Sequence, residues 1–133
     1  MANTRRRSRR TSQATRDSTA KIIDLRRAVK SFVEVREWDQ FHSPKNLSMA
    51  IAVEAAELLD IFKWCSPEQS EGLAKSPKMR AAIADELADV FIYELAFVNS
   101  IGLDLTQAVL RKLEKNNDKY PIRASKGKYK SYC

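Results

Sequence analysis

The apolar residues of this chain recur at intervals of three and four almost without a break from about residue 18 to residue 120. That rhythm matches the α-helix, which turns once in about 3.6 residues, and the alternation of a half-buried strand is nowhere seen. Ile22, Leu25, Val29, Phe32 and Val33, continued by Val35, Trp38 and Phe41, predict a first long helix from about Ser18 to Phe41. His42-Ser43-Pro44 interrupts the pattern, and Asn46 offers an N-cap for a second helix over about 47–64. Ser66-Pro67-Glu68-Gln69 has the form of a capping box with proline at the first helical position, so a short helix follows. Ser76-Pro77 repeats the start signal for a third long helix reaching about Ser100, and Gly102 ends it. Asp104 caps a fourth, which runs to about Lys119 before Tyr120-Pro121. The expected fold is all-α, a four-helix-bundle type with one short extra helix. Three glycines and four prolines are too few for a chain of many tight turns, which argues against an all-β sandwich.

At 133 residues the chain has room for one domain. Its net charge of +7 is unevenly spread. Residues 1–16 carry six arginines and no acid, and residues 121–133 carry four basic residues and no acid. The body between them holds 14 basic and 17 acidic residues, a net of −3. A folded nucleic-acid reader carries its positive charge on the fold, so the basicity here belongs to tails. The reading is a disordered basic tail over 1–17, a helical domain over 18–121 and a basic tail over 122–133. Any contact with nucleic acid is expected through those tails alone. No run approaches the roughly 18 apolar residues of a membrane span, and no apolar stretch follows the basic start as a secretory signal requires. Cys65 and Cys133 suggest thiols in a reducing cytoplasm rather than a disulfide framework.

The positions of four acids carry the chemistry. Along the second helix the seam Leu47, Ile51, Glu54, Leu58, Ile61 steps by four and three. Along the third, Met79, Ile83, Glu86, Val90, Tyr93 and Phe97 keep the same rhythm. Each seam therefore sets a glutamate at a core-facing position, and each glutamate has a second acid three residues on, Glu57 and Asp89. A single Glu-x-x-Glu is usually a solvated face; two pairs touching the seams of two helices are much rarer. Like charges at that spacing repel, and burying them is costly unless a cation neutralises them. Four carboxylates make an all-oxygen cage suited to Mg²⁺ or Mn²⁺. Asp60, Asp85 and Glu94 are assigned to solvent or to pairs with Lys and Arg.

Other chemistries lack their residues. A di-iron bundle site wants two Glu-x-x-His helices, and the one histidine, His42, lies outside both acid pairs. The same shortage excludes a Cys/His zinc site and a Ser-His-Asp set, and no phosphate-cradling glycine loop is present. Hard cations on carboxylates hold polyphosphate oxygens, and a carboxylate spared by the metal can orient or deprotonate water. Trp38, Phe41, His42, Trp64 and Tyr93 are candidates for the walls of a base pocket, although each would also serve as core. Lys112 and Asn116, four apart on the fourth helix, could reach phosphate oxygens.

These residues resemble a known pattern. Glu54-Ala-Ala-Glu57, a gap of 28 residues and Glu86-Leu-Ala-Asp89 look like the EXXE…EXXD signature of the all-α nucleoside triphosphate pyrophosphohydrolases, the MazG-like superfamily. Arg36-Glu-Trp-Asp-Gln-Phe-His42, Pro44-Lys-Asn-Leu47, Leu58 through Trp64 and Asp118-Lys-Tyr-Pro121 are similar to its dCTP pyrophosphatase branch. The resemblance covers roughly residues 20–122. It implies hydrolysis between the α and β phosphates of a nucleotide, with Mg²⁺, to a monophosphate and pyrophosphate. It further implies Glu54, Glu57, Glu86 and Asp89 as metal ligands and Trp38, Asp39, Gln40, Phe41, His42, Trp64 and Tyr93 as the nucleotide pocket. Lys112 and Asn116 would approach the phosphates. Val53 stands where some relatives carry an extra glutamate proposed as base, so metal-activated water assisted by Glu54 or Glu57 is the expected route. Family members are dimers or tetramers, so a homo-oligomer is expected here, a tetramer before a dimer.

The favoured substrate is dCTP or a close analogue, with dUTP, dATP or a broad preference as alternatives. The competing reading from another class is a helical, non-enzymatic nucleic-acid-binding protein that uses the Arg-rich tail.

Overall fold

The computed structural model describes residues 16–128, and among these every regular element is helical. Apart from Arg16 and Asp17, the basic N-terminal stretch lies outside the described residues, as do residues 129–133. The order is α1 (Ile22–Glu34), a 3₁₀ turn (Trp38–Phe41), α2 (Pro44–Phe62), α3 (Pro67–Lys75), α4 (Pro77–Ile101), α5 (Leu105–Lys119) and α6 (Ile122–Ser125). No helix among the described residues is long and apolar enough to cross a membrane.

The helix boundaries follow local chemistry. The Ser66 hydroxyl accepts from the Gln69 amide at 3.2 Å while Gln69 Oε1 accepts from the Ser66 amide at 2.9 Å, completing the expected box of α3. Asp104 Oδ1 accepts from the Gln107 amide at 2.9 Å and starts α5. Gly102, at φ 64°, takes the left-handed conformation that ends α4, and the Leu103 amide returns to the Val98 carbonyl at 3.0 Å.

Two boundaries differ from the sequence reading. The cap of α2 is Ser43, whose hydroxyl accepts from the Asn46 amide at 3.2 Å, because Pro44 already supplies a φ suited to the first helical position. Asn46 instead lies inside the helix and donates its side-chain amide to the Phe41 carbonyl at 3.0 Å. The first helix ends at Glu34 rather than near Phe41. Glu37 adopts φ 56°, a left-handed conformation that no helix continues through, and the chain re-enters as the 3₁₀ turn. The small helix α6 falls in the stretch read as the C-terminal tail.

Packing centres on α4. Its main partner is α2, with α1 and α3 laid against it as well. Val29 and Val33 from α1, Leu47 from α2, and Leu95 and Ala96 from α4 form the buried core. Phe91, Tyr93, Phe97 and Leu105 close around it. Leu105 is the anchor of α5, which otherwise touches the other helices only slightly. Val109, Leu110 and Leu113 on α5 are consequently exposed, so one chain does not pack its fourth long helix into a bundle. Trp64, at 88% exposure, is another apolar side chain left open.

Candidate metal centre and nucleotide cleft

Packing of α2 on α4 brings the two acid pairs face to face. The seam residues of α2 (Leu47, Ile51, Glu54, Leu58, Ile61) and of α4 (Met79, Ile83, Glu86, Val90, Tyr93, Phe97) are all at least partly buried. Both glutamates therefore sit among apolar neighbours, while Glu57 and Asp89 lie one turn on at the exposed edge. Glu54, Glu57 and Glu86 each offer a carboxylate oxygen within 4.8 Å of the others. Asp89 stands outside that tight triplet, yet close enough for its charge to act on both Glu54 and Glu86.

The electrostatics record the crowding. Desolvation is the largest cause raising the Glu54 carboxyl above its ordinary value, followed by the charges of Glu57, Asp89 and Glu86. Glu86 is likewise raised, first by desolvation, then by Glu57, Asp89 and Asp85, with a further contribution from a hydrogen bond to Glu57. No basic group contributes to either shift. Asp85, assigned from the sequence to solvent or to a pair with Lys or Arg, is exposed and adds its charge to the field at Glu86. A cluster of partly desolvated acids with no cationic neighbour in its balance fits a hard divalent cation held by oxygens.

The Trp38–His42 segment is held differently. None of its residues is fully buried, and its fixings are mostly polar bonds to backbone. Gln40 donates to the Glu37 carbonyl at 2.9 Å, and Asn46 holds the Phe41 carbonyl. Trp38 meets Phe32 edge-on at 5.8 Å between ring centroids. The Arg36 guanidinium covers the Phe32 ring at 3.7 Å and donates to the Phe32 carbonyl at 2.9 Å.

Behind this segment a cleft opens between α1, the 3₁₀ turn and α4. Val29, Lys30 and Val33, Asp39 and His42, and Ala96, Asn99 and Ser100 line it, and it is partly open to solvent. Asp89, Tyr93, Ala96 and Ser100 follow a four-three-four rhythm, so the cleft and the carboxylates share one face of α4. Tyr93 packs against the core, Trp64 stands open beyond the end of α2, and Phe41 is exposed. Lys112 lines a shallow groove on α5 with Ala108, Arg111 and Lys115, a surface containing none of the four acids. Lys30, Asn99 and Ser100 were not identified from the sequence as cleft residues. The only local signal was Asn99, three residues before the glycine that ends α4.

The sequence model of the MazG-like family matches residues 49–133, a span that holds both acid pairs. The chain belongs to that family. Bovine dCTP pyrophosphatase 1 is 41% identical over 106 residues, covering 80% of this chain and 63% of that protein. The human dCTP pyrophosphatase 1 is 37% identical over 111 residues, covering 84% of this chain and 65% of its own length. The chain therefore spans less than two thirds of these relatives. Among solved structures, a pyrophosphatase from Archaeoglobus fulgidus superimposes with a TM-score of 0.71 at 36% identity, over 75% of this chain and 92% of that one.

Proposed function

We propose that this MazG-like chain is a divalent-metal-dependent nucleotide pyrophosphohydrolase, with Mg²⁺ as its ion and dCTP or a close analogue as its favoured substrate. The observation that carries the reading is the carboxylate triplet Glu54, Glu57 and Glu86. Three acids from two packed helices, two of them with raised pKa and no basic group offsetting them, suit a divalent cation. Glu54, Glu57, Glu86 and Asp89 would hold the metal, which when bound supplies charge for the phosphate oxygens. The similarity to dCTP pyrophosphatases supports the choice of nucleotide and reaction.

In this reading the chain's own groups divide the work along α4. The acids would place the phosphate end through the cation they hold, while the cleft behind Trp38–His42 receives the base. Glu54 or Glu57, whichever oxygen is free of metal, accepts the proton of the attacking water. Residues 18–121 form the hydrolase unit and the flanking tails are dispensable for turnover. The open apolar face of α5 supports assembly into a homo-oligomer, a dimer or a tetramer, in which Lys112 and Asn116 could reach phosphates from a neighbouring chain.

The test is release of pyrophosphate by the purified full chain from each canonical dNTP and NTP, with Mg²⁺ and with EDTA. Metal-dependent release with dCTP ahead of the others is the expected result. Release of orthophosphate alone, or no release from any nucleotide, would refute the assignment.

A further inference from the structure

Among the described residues, side-chain hydrogen bonds and ion pairs link groups no more than five residues apart, with one exception. Arg26 of α1 and Asn99 of α4, 73 residues apart, hold each other twice. Arg26 Nε donates to Asn99 Oδ1 at 2.9 Å, and Asn99 Nδ2 donates to the Arg26 carbonyl at 3.0 Å. A guanidinium only donates and a carbonyl only accepts, so the two bonds engage both ends of the amide and leave it no freedom to flip. The pair is partly buried, where a charge-assisted bond is stronger than in water. Its place also suits the charge. Asn99 lies in the last turn of α4, which has no basic residue of its own, and Arg26 brings a cation to that negative helix end.

This fastening sits at the wall of the cleft. Arg26, Val29 and Val33 follow a three-four rhythm, so all three share one face of α1. Val29 and Val33 line the cleft and are the buried residues of α1. On the α4 wall Asn99 stands with Ala96 and Ser100, whereas Arg26 lies outside the lining. Burial of two valines is non-directional and leaves α1 able to slide or roll on α4. Two bonds of fixed direction remove that freedom and set the spacing between the walls. The other polar groups of these walls cannot do so. Lys30 pairs with Glu34 within α1 at 3.5 Å, and Ser100 donates to the Phe97 carbonyl within α4 at 2.8 Å. The turn that brings Asp39 and His42 to the cleft follows α1 in the chain, so its place depends on the same alignment.

We infer that Arg26 is a positioning residue for nucleotide binding: through Asn99 it holds the α1 wall of the cleft at the spacing the substrate requires. This rests on the nucleotide reading above. Asn99 lies ten residues beyond Asp89, about 15 Å along α4, so the effect falls on binding rather than on the reacting phosphates.

The experiment measures kcat and KM, with Mg²⁺ and the nucleotide the wild type uses best, on the full chain. Wild type is compared with Arg26→Met, Arg26→Gln, Asn99→Ala and the Arg26→Met/Asn99→Ala double variant, each checked for helicity by circular dichroism. Arg26→Met keeps an unbranched stem without a donor and should raise KM about 5- to 20-fold, with kcat changed less than about 2-fold. Arg26→Gln sets an N–H donor at the same place along the side chain as Nε and should restore most of the wild-type KM. The double variant should be no worse than Asn99→Ala, which already removes both bonds. A KM within about 2-fold of wild type in a folded Arg26→Met would overturn the inference and leave the hydrolase reading intact. So would a fall in kcat with KM unmoved, a Gln variant as impaired as the Met variant, or KM effects that multiply in the double variant. If Arg26→Met does not fold, Asn99→Ala is read instead, and a KM within about 2-fold of wild type there overturns the inference. Failure of both to fold would make the pair a contact that serves the fold alone, and would overturn it too. Wild-type silence toward every nucleotide would remove the hydrolase reading itself, and the inference with it.

Discussion

Glu54 and Glu86 stand mid-helix, ten and nine residues after the prolines that begin α2 and α4. Trp38–His42, by contrast, occupies a single 3₁₀ turn and its cap, with no fully buried residue. The acids inherit their placement from two long helices whose contact is the most extensive in the molecule. The turn is placed by a left-handed Glu37, a few side-chain bonds to carbonyls and one aromatic contact. A left-handed glutamate costs about 1–2 kcal/mol, so that placement must be over-determined by its surroundings to persist. One end of the candidate site is therefore rigid by architecture and the other by local bonds. Disturbances should act on the first through chemistry or whole-fold stability and on the second through substrate affinity.

The sharpest way to break the comparison is at the rigid end. Glu86→Ala should lower turnover by on the order of 10³-fold while helicity by circular dichroism is unchanged. Turnover within a few-fold of wild type would separate the acids from the reaction. Leu47→Ala tests whether the same end depends on packing. Leu47 is 1% exposed, so its truncation should cost about 2–5 kcal/mol in denaturant unfolding. A loss below 1 kcal/mol would show that the α2–α4 contact is not what holds the carboxylates.

At the other end, Trp38→Ala should raise KM for dCTP roughly 10-fold with kcat changed much less, as expected when binding shared by ground and transition states is removed. A fall in kcat with KM unchanged would move the turn from the binding end to the reacting end. The gentlest probe is charge removal. Both glutamates have folded-state pKa values above the ordinary 4.5, so in the metal-free chain their contribution to stability is complete below that value and is lost as pH rises through the raised one. Glu54→Gln should therefore melt higher than wild type without metal at neutral pH, with the gap closing in acid. Mg²⁺ should stabilise wild type more than the variant. A variant that melts lower than wild type at neutral pH would show that the ionised carboxylate is already compensated.

This contrast also explains what could be read from the chain alone. Glu54 and Glu86 were legible because a helical period fixes the face of every residue, and the observed burial of both seams follows that period. The starts of α3 and α5 were legible because Ser66, Gln69 and Asp104 act on amides within three residues. The break after Glu34 was not, since Val35, Trp38 and Phe41 continue the apolar rhythm through a turn that only the backbone of Glu37 reveals. Nor was the bond between Arg26 and Asn99, residues 73 apart in the chain, because periodicity says nothing about which polar groups meet across two helices. The surroundings of Lys112, a groove on α5 with Ala108, Arg111 and Lys115, were hidden for the same cause: a helix face can be read from sequence, but not the body it lies against.

The Ser-Pro starts of α2 and α4 bear on what changes in length this chain can absorb. An extra or missing residue between Pro44 and Glu54, or between Pro77 and Glu86, would turn a carboxylate about 100° around its helix and away from its counterpart. The same change in the link between α2 and α3 would shift only a connection that precedes a freshly capped start. Insertions and deletions in descendants of this gene should therefore collect between the helices and be purged from two stretches of nine or ten residues, each counted from a proline.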